Sequence, residues 1–273
     1  MNDFDFERRF GGVRKLYGAA GLAALRQAHV CVIGIGGVGS WAVEALARSA
    51  VGRITLIDLD HVAESNLNRQ IHALDSTLGK AKIEAMAERI HDINPACQVE
   101  LIDDFLDGDN LADYLGRGYS AVIDAIDSVK TKTALLAWCR RNKIKVISCG
   151  GAGGQLDPTQ IQIADLAKTT QDPLLAKVRQ NLRRDYGYSR DPKKRFEIPA
   201  VFSTEQLIYP ADEGASCEVD GASGNEGITG LNCAGFGSAV TVTASFGLIA
   251  ASWVLRKLVE QAAKAAATTP NDQ

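Results

Sequence analysis

The chain has 273 residues, 46% of them hydrophobic and 23% charged, with a formal net charge of −3. It can bury a full core, as one large domain or one domain with a smaller appendage, which excludes a disordered protein. The six cysteines, at positions 31, 97, 139, 149, 217 and 233, are widely separated and form no C-x-x-C pair, so the spacing points to reduced thiols in a cytosolic protein and excludes a disulfide framework or a paired-cysteine zinc site.

The N-terminal segment MNDFDFERRF is acidic and aromatic and lacks the apolar core of a signal peptide. Residues 28–33, AHVCVI, form a predicted buried strand that runs into GIGGVG and then into a helix reaching about Ser49. RITLID (53–58) is a second strand, and KAKIEAMAERI a helix. CQVELI, a short helix at NLADYL, the strand YSAVID, a helix at TKTALLAWCRR and the strand IKVISC (144–149) follow. Apolar strands alternating with helices imply a doubly wound α/β fold with a mostly parallel sheet. Ligands in such a fold sit at the carboxyl ends of the strands.

Gly34, Gly36 and Gly39 fit G-x-G-x-x-G, with Gly37 inside the turn, and Asp58 stands 19 positions past Gly39 at the end of the second strand. A nicotinamide dehydrogenase is the first function this suggests, with the aspartate on a ribose hydroxyl. The next residues oppose it. LDHVAESNLNRQ brings Arg69, and LGKAK brings Lys82, whereas a dehydrogenase binds its pyrophosphate mainly through backbone amides and a helix N-terminus. Two cations behind an Asn-rich turn suit a triphosphate. Asp124 and Asp127, in VIDAIDS, offer a carboxylate for magnesium at a strand end.

Beyond Cys149, GGAGGQLDPTQ is a loop in which the backbone must turn sharply or pass close to something, and IQIAD is a further strand. Between Lys177 and Arg195, eight basic residues face two acidic ones, a local net charge of +6 on an acidic protein. Arg183, Arg184, Lys193, Lys194 and Arg195, interleaved with Tyr186, Tyr188 and Phe196, form either a polyanion contact with bases stacked on the rings or a solvated loop. DEGASCEVDGASGNEGITG has the composition of a flexible surface loop. Residues 233–255 carry no charge over the ~20 residues a membrane span requires. Their serines and threonines favour a helix buried in the fold over a membrane-associated one.

Taken in order, GIGGVG, LIDLD, SNLNRQ, GKAK and DAIDS resemble the adenylating fold of ubiquitin-activating enzymes and their ThiF/MoeB/HesA-type bacterial relatives, over about residues 9–165. RRFGGVRKLYG, NRQIHAL, GGAGGQLDPTQIQ, DLAKTTQDPL and NCAGFGSAVTVTASFG resemble, across almost the whole chain, the tRNA threonylcarbamoyladenosine dehydratases of that superfamily. The resemblance implies an ATP-dependent enzyme. It would adenylate the threonyl carboxylate of the modified adenosine in the tRNA anticodon loop and close a ring with net loss of one water.

It implies that Gly36 and its neighbours Gly34, Gly37 and Gly39 approach the nucleotide, and that Asp58 holds the ribose with Asp60 nearby. Arg69 and Lys82 bind phosphates, Gln70 belongs to the nucleotide site, Asn66 lies beside the reacting phosphate, and Asp127 serves magnesium. Arg14 reaches the neighbouring subunit's site in a homodimer, although the spacing around it departs from the carrier-activating relatives. The GGAGG run is a candidate site for a monovalent cation. Cys233 is either a sulfur acceptor for a cysteine desulfurase system, acting with a sulfur-acceptor partner, or a core cysteine.

The implied division is a 1–165 adenylation core with an N-terminal arm, followed by 166–273 of the same domain, with a basic loop at 177–199 and an apolar helix at about 235–263. The alternative is an adenylating activator of a ubiquitin-like sulfur carrier. Such activators commonly carry zinc-binding C-x-x-C pairs, which this chain lacks, and the basic island suits RNA better than a carrier tail.

Overall fold

In the computed structural model of the protein, residues 4–209 and 236–268 are described. Seven strands among them form one sheet: β1 (His29–Ile33), β2 (Arg53–Ile57), β3 (Gln98–Ile102), β4 (Ala121–Asp124), β5 (Val146–Cys149), β6 (Ile161–Asp165) and β7 (Pro199–Ser203). Their order is β3-β2-β1-β4-β5-β7-β6, parallel throughout except where β6 runs antiparallel to β7. The chain runs from β1 through β2 to β3 on one side and then crosses from β3 to β4 on the other side of β1, so the strand order reverses beside β1 and leaves a crevice at its carboxyl end.

Alternation along the strands sorts the core into two layers. Val30 and Val32 of β1 join a cluster with Ile54, Leu56, Ile123 and Ile147. Helices α2 (Gly39–Arg48), α3 (Lys82–Ile93) and α7 (Val240–Thr268) cover it. Cys31 and Ile33 face the other layer, under α4 (Leu111–Leu115), α5 (Val129–Arg141) and α6 (Pro173–Asp185). Cys31, Cys97, Cys139 and Cys149 are free and buried, and burial pushes the thiols of Cys97, Cys139 and Cys149 up to about 12. They are packing residues. Cys217 and Cys233 lie outside the described residues.

Three segments differ from the sequence expectation. The N-terminal arm is a helix, α1 (Phe6–Gln27), interrupted at Gly18, where φ is +75°. The first half of the expected basic loop is α6, begun by Asp172, whose carboxylate accepts the Leu175 N–H, and by Pro173. Leu174, Leu175, Val178 and Leu182 form its buried face, so Lys177, Arg179, Arg183 and Arg184 ride on an ordered helix. β7 was not anticipated: it is short, opens on a proline, and follows directly on the basic run. Proline is tolerated at a strand's first residue.

Helix α7 starts five residues later than expected. By length and composition it could cross a membrane. Val242, Phe246, Ala250, Val254 and Leu258 nevertheless recur every fourth residue along one face and are buried in the core.

Candidate active site

A cleft of about 500 Å³ opens at the carboxyl ends of the strands. The glycine loop after β1 forms its floor. Gly34 has φ +85°, and a Cβ on Gly39 would stand 1.8 Å from the Gly34 carbonyl oxygen, so only glycine lets α2 start this close to the turn. The start of α2 thus comes up against the loop, which suits an anion.

Asp58, at the end of β2, accepts the Ile35 N–H at 2.5 Å and the Asp60 N–H at 2.8 Å, pinning the loop to the second strand. Burial raises its pKa, and the Lys82 charge opposes that shift. Lys82, at the start of α3, is buried and pairs with Asp60 at 2.7 Å. Arg69 donates to the Ser65 carbonyl at 2.8 Å and to Asn68 Oδ1 at 2.9 Å. The indole of Trp41 on α2 donates to the Arg69 carbonyl at 2.9 Å, tying the Asn-rich turn to the glycine loop's helix. Asn66 accepts the Ala63 N–H and closes that turn. The buried Gln70 leaves its Oε1 without a partner among the described residues.

Asp124 and Asp127 separate clearly. Asp124 is fully buried: it accepts from Lys132 Nζ and from Ser148 Oγ, each at 2.7 Å, and from the Ile126 N–H at 3.2 Å. Lys132, also fully buried, donates further to the Cys149 carbonyl at 2.9 Å. This pair braces the turn after β4 against the loop after β5. Asp127 is exposed, lines the cleft, and has no hydrogen-bond or ion-pair partner among the described residues.

The cleft therefore collects Gly34, Gly36, Gly37, Asp58, Asp60, Asn66, Arg69, Gln70, Lys82 and Asp127. Gly39 shapes the floor without lining it. Arg14 does not line this cleft; it lies on α1, half-exposed, paired with Glu7 at 3.0 Å. Cys233 lies outside the described residues.

Arg183, Arg184, Lys193, Lys194 and Arg195 stand apart from the cleft, and partners hold some of them. Arg183 donates to the Ser189 carbonyl and lies over the Phe196 ring, Arg184 pairs with Asp185, and Arg195 approaches Asp165 at 3.5 Å. Phe196 is buried against Tyr188, with ring centroids 4.8 Å apart, so it is a core residue and not a free stacking surface.

The sequence reading missed Asp104, Phe105 and Leu106, which follow β3 and line the cleft, as do Ser128, Thr131, Leu174, Phe236, Ser238 and Thr243. The first three were within reach of the rule that places ligands at strand ends, since their strand had been recognised. Lys132 had a signal too: a lysine at a buried position of the helix that follows Asp124.

Residues 11–271 match the model of the ThiF family. The chain belongs to that family. Over its length this ThiF-family chain is 58% identical to the tRNA threonylcarbamoyladenosine dehydratase of Haemophilus influenzae, covering 94% of this chain and 95% of the relative. The crystal structure of the Escherichia coli tRNA N6-threonylcarbamoyladenosine dehydratase in complex with ATP matches with a TM-score of 0.84 at 52% identity, covering 95% of this chain and 97% of that one. The molybdopterin-synthase adenylyltransferase of Salmonella typhimurium is 38% identical over only 54% of each chain.

Proposed function

We propose that the protein uses ATP to dehydrate threonylcarbamoyladenosine in the tRNA anticodon loop. The observation that carries this is the single cleft joining the glycine loop, Asp58, Arg69 and Lys82, in a chain that follows a dehydratase relative almost end to end. A free carboxylate is a poor electrophile. Transfer of AMP from ATP to the threonyl carboxylate expels pyrophosphate and gives a mixed anhydride. Attack from within the same side chain then closes a ring and releases AMP, so one water is removed overall. Proximity assists this second step without a protein nucleophile.

Asp58 accepts from the ribose, while the amides of the glycine loop and the cations Arg69 and Lys82 bind the phosphates and neutralise charge developing at the α-phosphorus. Asn66 and Gln70 complete the phosphate wall. No group of three His, Cys, Asp or Glu side chains forms a metal cage among the described residues, and Asp127 has a free carboxylate in the cleft. That donor set fits magnesium held by one carboxylate together with substrate phosphates. Magnesium would supply charge neutralisation on the phosphates. A monovalent cation at the GGAGG run is supported by Gln155, which is buried with Oε1 unpartnered among the described residues and Nε2 on the Gly151 carbonyl at 3.2 Å.

The RNA surface we assign to Arg183, Arg184, Lys193, Lys194 and Arg195 extends to Arg140 and Arg141, which line a groove of about 400 Å³ with Tyr186, Tyr188 and Arg195. Arg14 serves the partner's site in a homodimer, consistent with its position outside its own cleft. Cys233 is the proposed acceptor for a sulfur-transfer partner, and the cytoplasm is the proposed location, as for a tRNA-modifying enzyme. The test is pyrophosphate release from ATP with tRNA as the only acceptor. Release that needs a carrier protein instead would favour the sulfur-carrier activator, and NAD turnover without ATP use would favour the oxidoreductase.

A further inference from the structure

The strand order sets the cleft's walls in a row: Asp104 after β3, Asp58 and Asp60 after β2, the glycine loop after β1, Asp127 after β4, and Gly150–Gly153 after β5. Leu174 and Phe236 line the cleft beside these glycines, whereas the Ser238 carbonyl accepts from Asn68 of the Asn-rich turn at 3.3 Å. With ribose on Asp58 and phosphates over the β1 loop, an acceptor carboxylate must enter from the β5 side. Asp172 holds the Gly151 N–H at 2.9 Å from behind the backbone without lining the cleft, and Asp127 borders that end on the β4 side, so an acceptor entering there meets backbone and an aromatic ring.

The ring is held in place. The Gly154 N–H donates to the Gly237 carbonyl, the Ile208 N–H donates to the Gly154 carbonyl, and both bonds are 2.8 Å long. A Cβ on Gly154 would stand 2.8 Å from Phe236 Cδ1, so the last glycine of the GGAGG run lets the backbone close on this ring, as Gly150, the first, lets it close on the Asp172 carboxylate. Tyr209 leans on Phe236, with centroids 5.1 Å apart and planes tilted by 53°, and remains 69% exposed. A braced pair with Phe236 partly buried and Tyr209 exposed beside the cleft suits a base splayed from a single-stranded loop.

We propose that Tyr209 and Phe236 form the stacking platform for the substrate's modified adenine, delivering its threonyl carboxylate to the β5 end of the cleft. This rests on the proposed dehydratase function. The test uses the full-length protein with ATP, magnesium and an anticodon stem-loop RNA carrying threonylcarbamoyladenosine, comparing Tyr209→Leu, Phe236→Leu and Tyr209→Phe.

Loss of a base stack raises the KM for RNA roughly 5- to 150-fold in both leucine variants. The KM for ATP stays within about twofold, and Tyr209→Phe keeps wild-type behaviour because any aromatic face stacks a base. An active wild type with unchanged RNA KM in both leucine variants overturns the platform alone. So does a rise in the KM for ATP equal to that for RNA. A wild type that forms no dehydrated nucleoside overturns the function reading, and the platform with it. Because Tyr209 is exposed, its variant tests the assignment even if Phe236→Leu fails to fold.

Discussion

Replacing Asp124 with alanine should damage the fold, whereas replacing Asp127 should damage the chemistry. Asp124 loses the Lys132 ammonium and the Ser148 hydroxyl, each 2.7 Å away, and leaves a lysine charge fully buried without its carboxylate. Breaking a buried pair on one side costs about 3–5 kcal/mol, a large share of the roughly 5–15 kcal/mol that holds a domain together. At about 2–4 °C per kcal/mol for a chain of this size, the melting temperature falls by roughly 6–20 °C. Replacing both partners, as Asp124→Leu with Lys132→Met, removes the stranded charge and recovers much of that loss. Thermal unfolding by circular dichroism reads all three proteins. An Asp124→Ala protein that melts with the wild type would refute the structural role given to this pair.

Asp127→Ala, by contrast, should change stability by no more than about 0.5 kcal/mol, as expected for an exposed side chain without partners among the described residues, while most turnover is lost; equal melting and equal turnover would remove it from the site. Lys82→Ala and Arg69→Ala should each weaken ATP binding in calorimetric titration, while NAD shows no turnover with any variant.

His72 is buried with both ring nitrogens unpartnered among the described residues, and burial, helped by Lys82 and Arg89, lowers its pKa to about 4. The folded state keeps it neutral while the unfolded chain takes up a proton below its ordinary value, so stability is full above pH 6.5 and declines as pH falls toward 4. The loss should be about 2 kcal/mol by pH 5, read from urea midpoints, and His72→Gln should flatten the slope. Neutralising Arg183, Arg184, Lys193, Lys194 and Arg195 together should weaken tRNA binding and reduce its salt dependence with ATP binding intact; an unchanged salt slope would show a merely solvated surface.

Much of the end of the cleft that we assign to the nucleotide could be read from the sequence because its chemistry is local. The glycine spacing, Asp58 at a strand end and the cations of SNLNRQ and GKAK fall in short runs whose elements have strong periodicity. The end that we assign to the acceptor could not. Phe236 and Gly154 are 82 positions apart in the chain and meet only through packing, so the glycine run announced a close approach without naming what approached. Charge misled in the basic segment: its lysines and arginines suggested a loop, while the leucines at 174, 175 and 182 with Val178 were the stronger, helical signal. Asp124 and Asp127 were one motif in sequence, and only burial divides a brace from a free carboxylate.

The most direct measurement is mass spectrometry of nucleosides digested from tRNA after incubation with the protein, ATP and magnesium. Threonylcarbamoyladenosine should be replaced by a nucleoside lighter by one water, with AMP and pyrophosphate formed in step. An unchanged threonylcarbamoyladenosine peak in the presence of active, ATP-binding protein would contradict it.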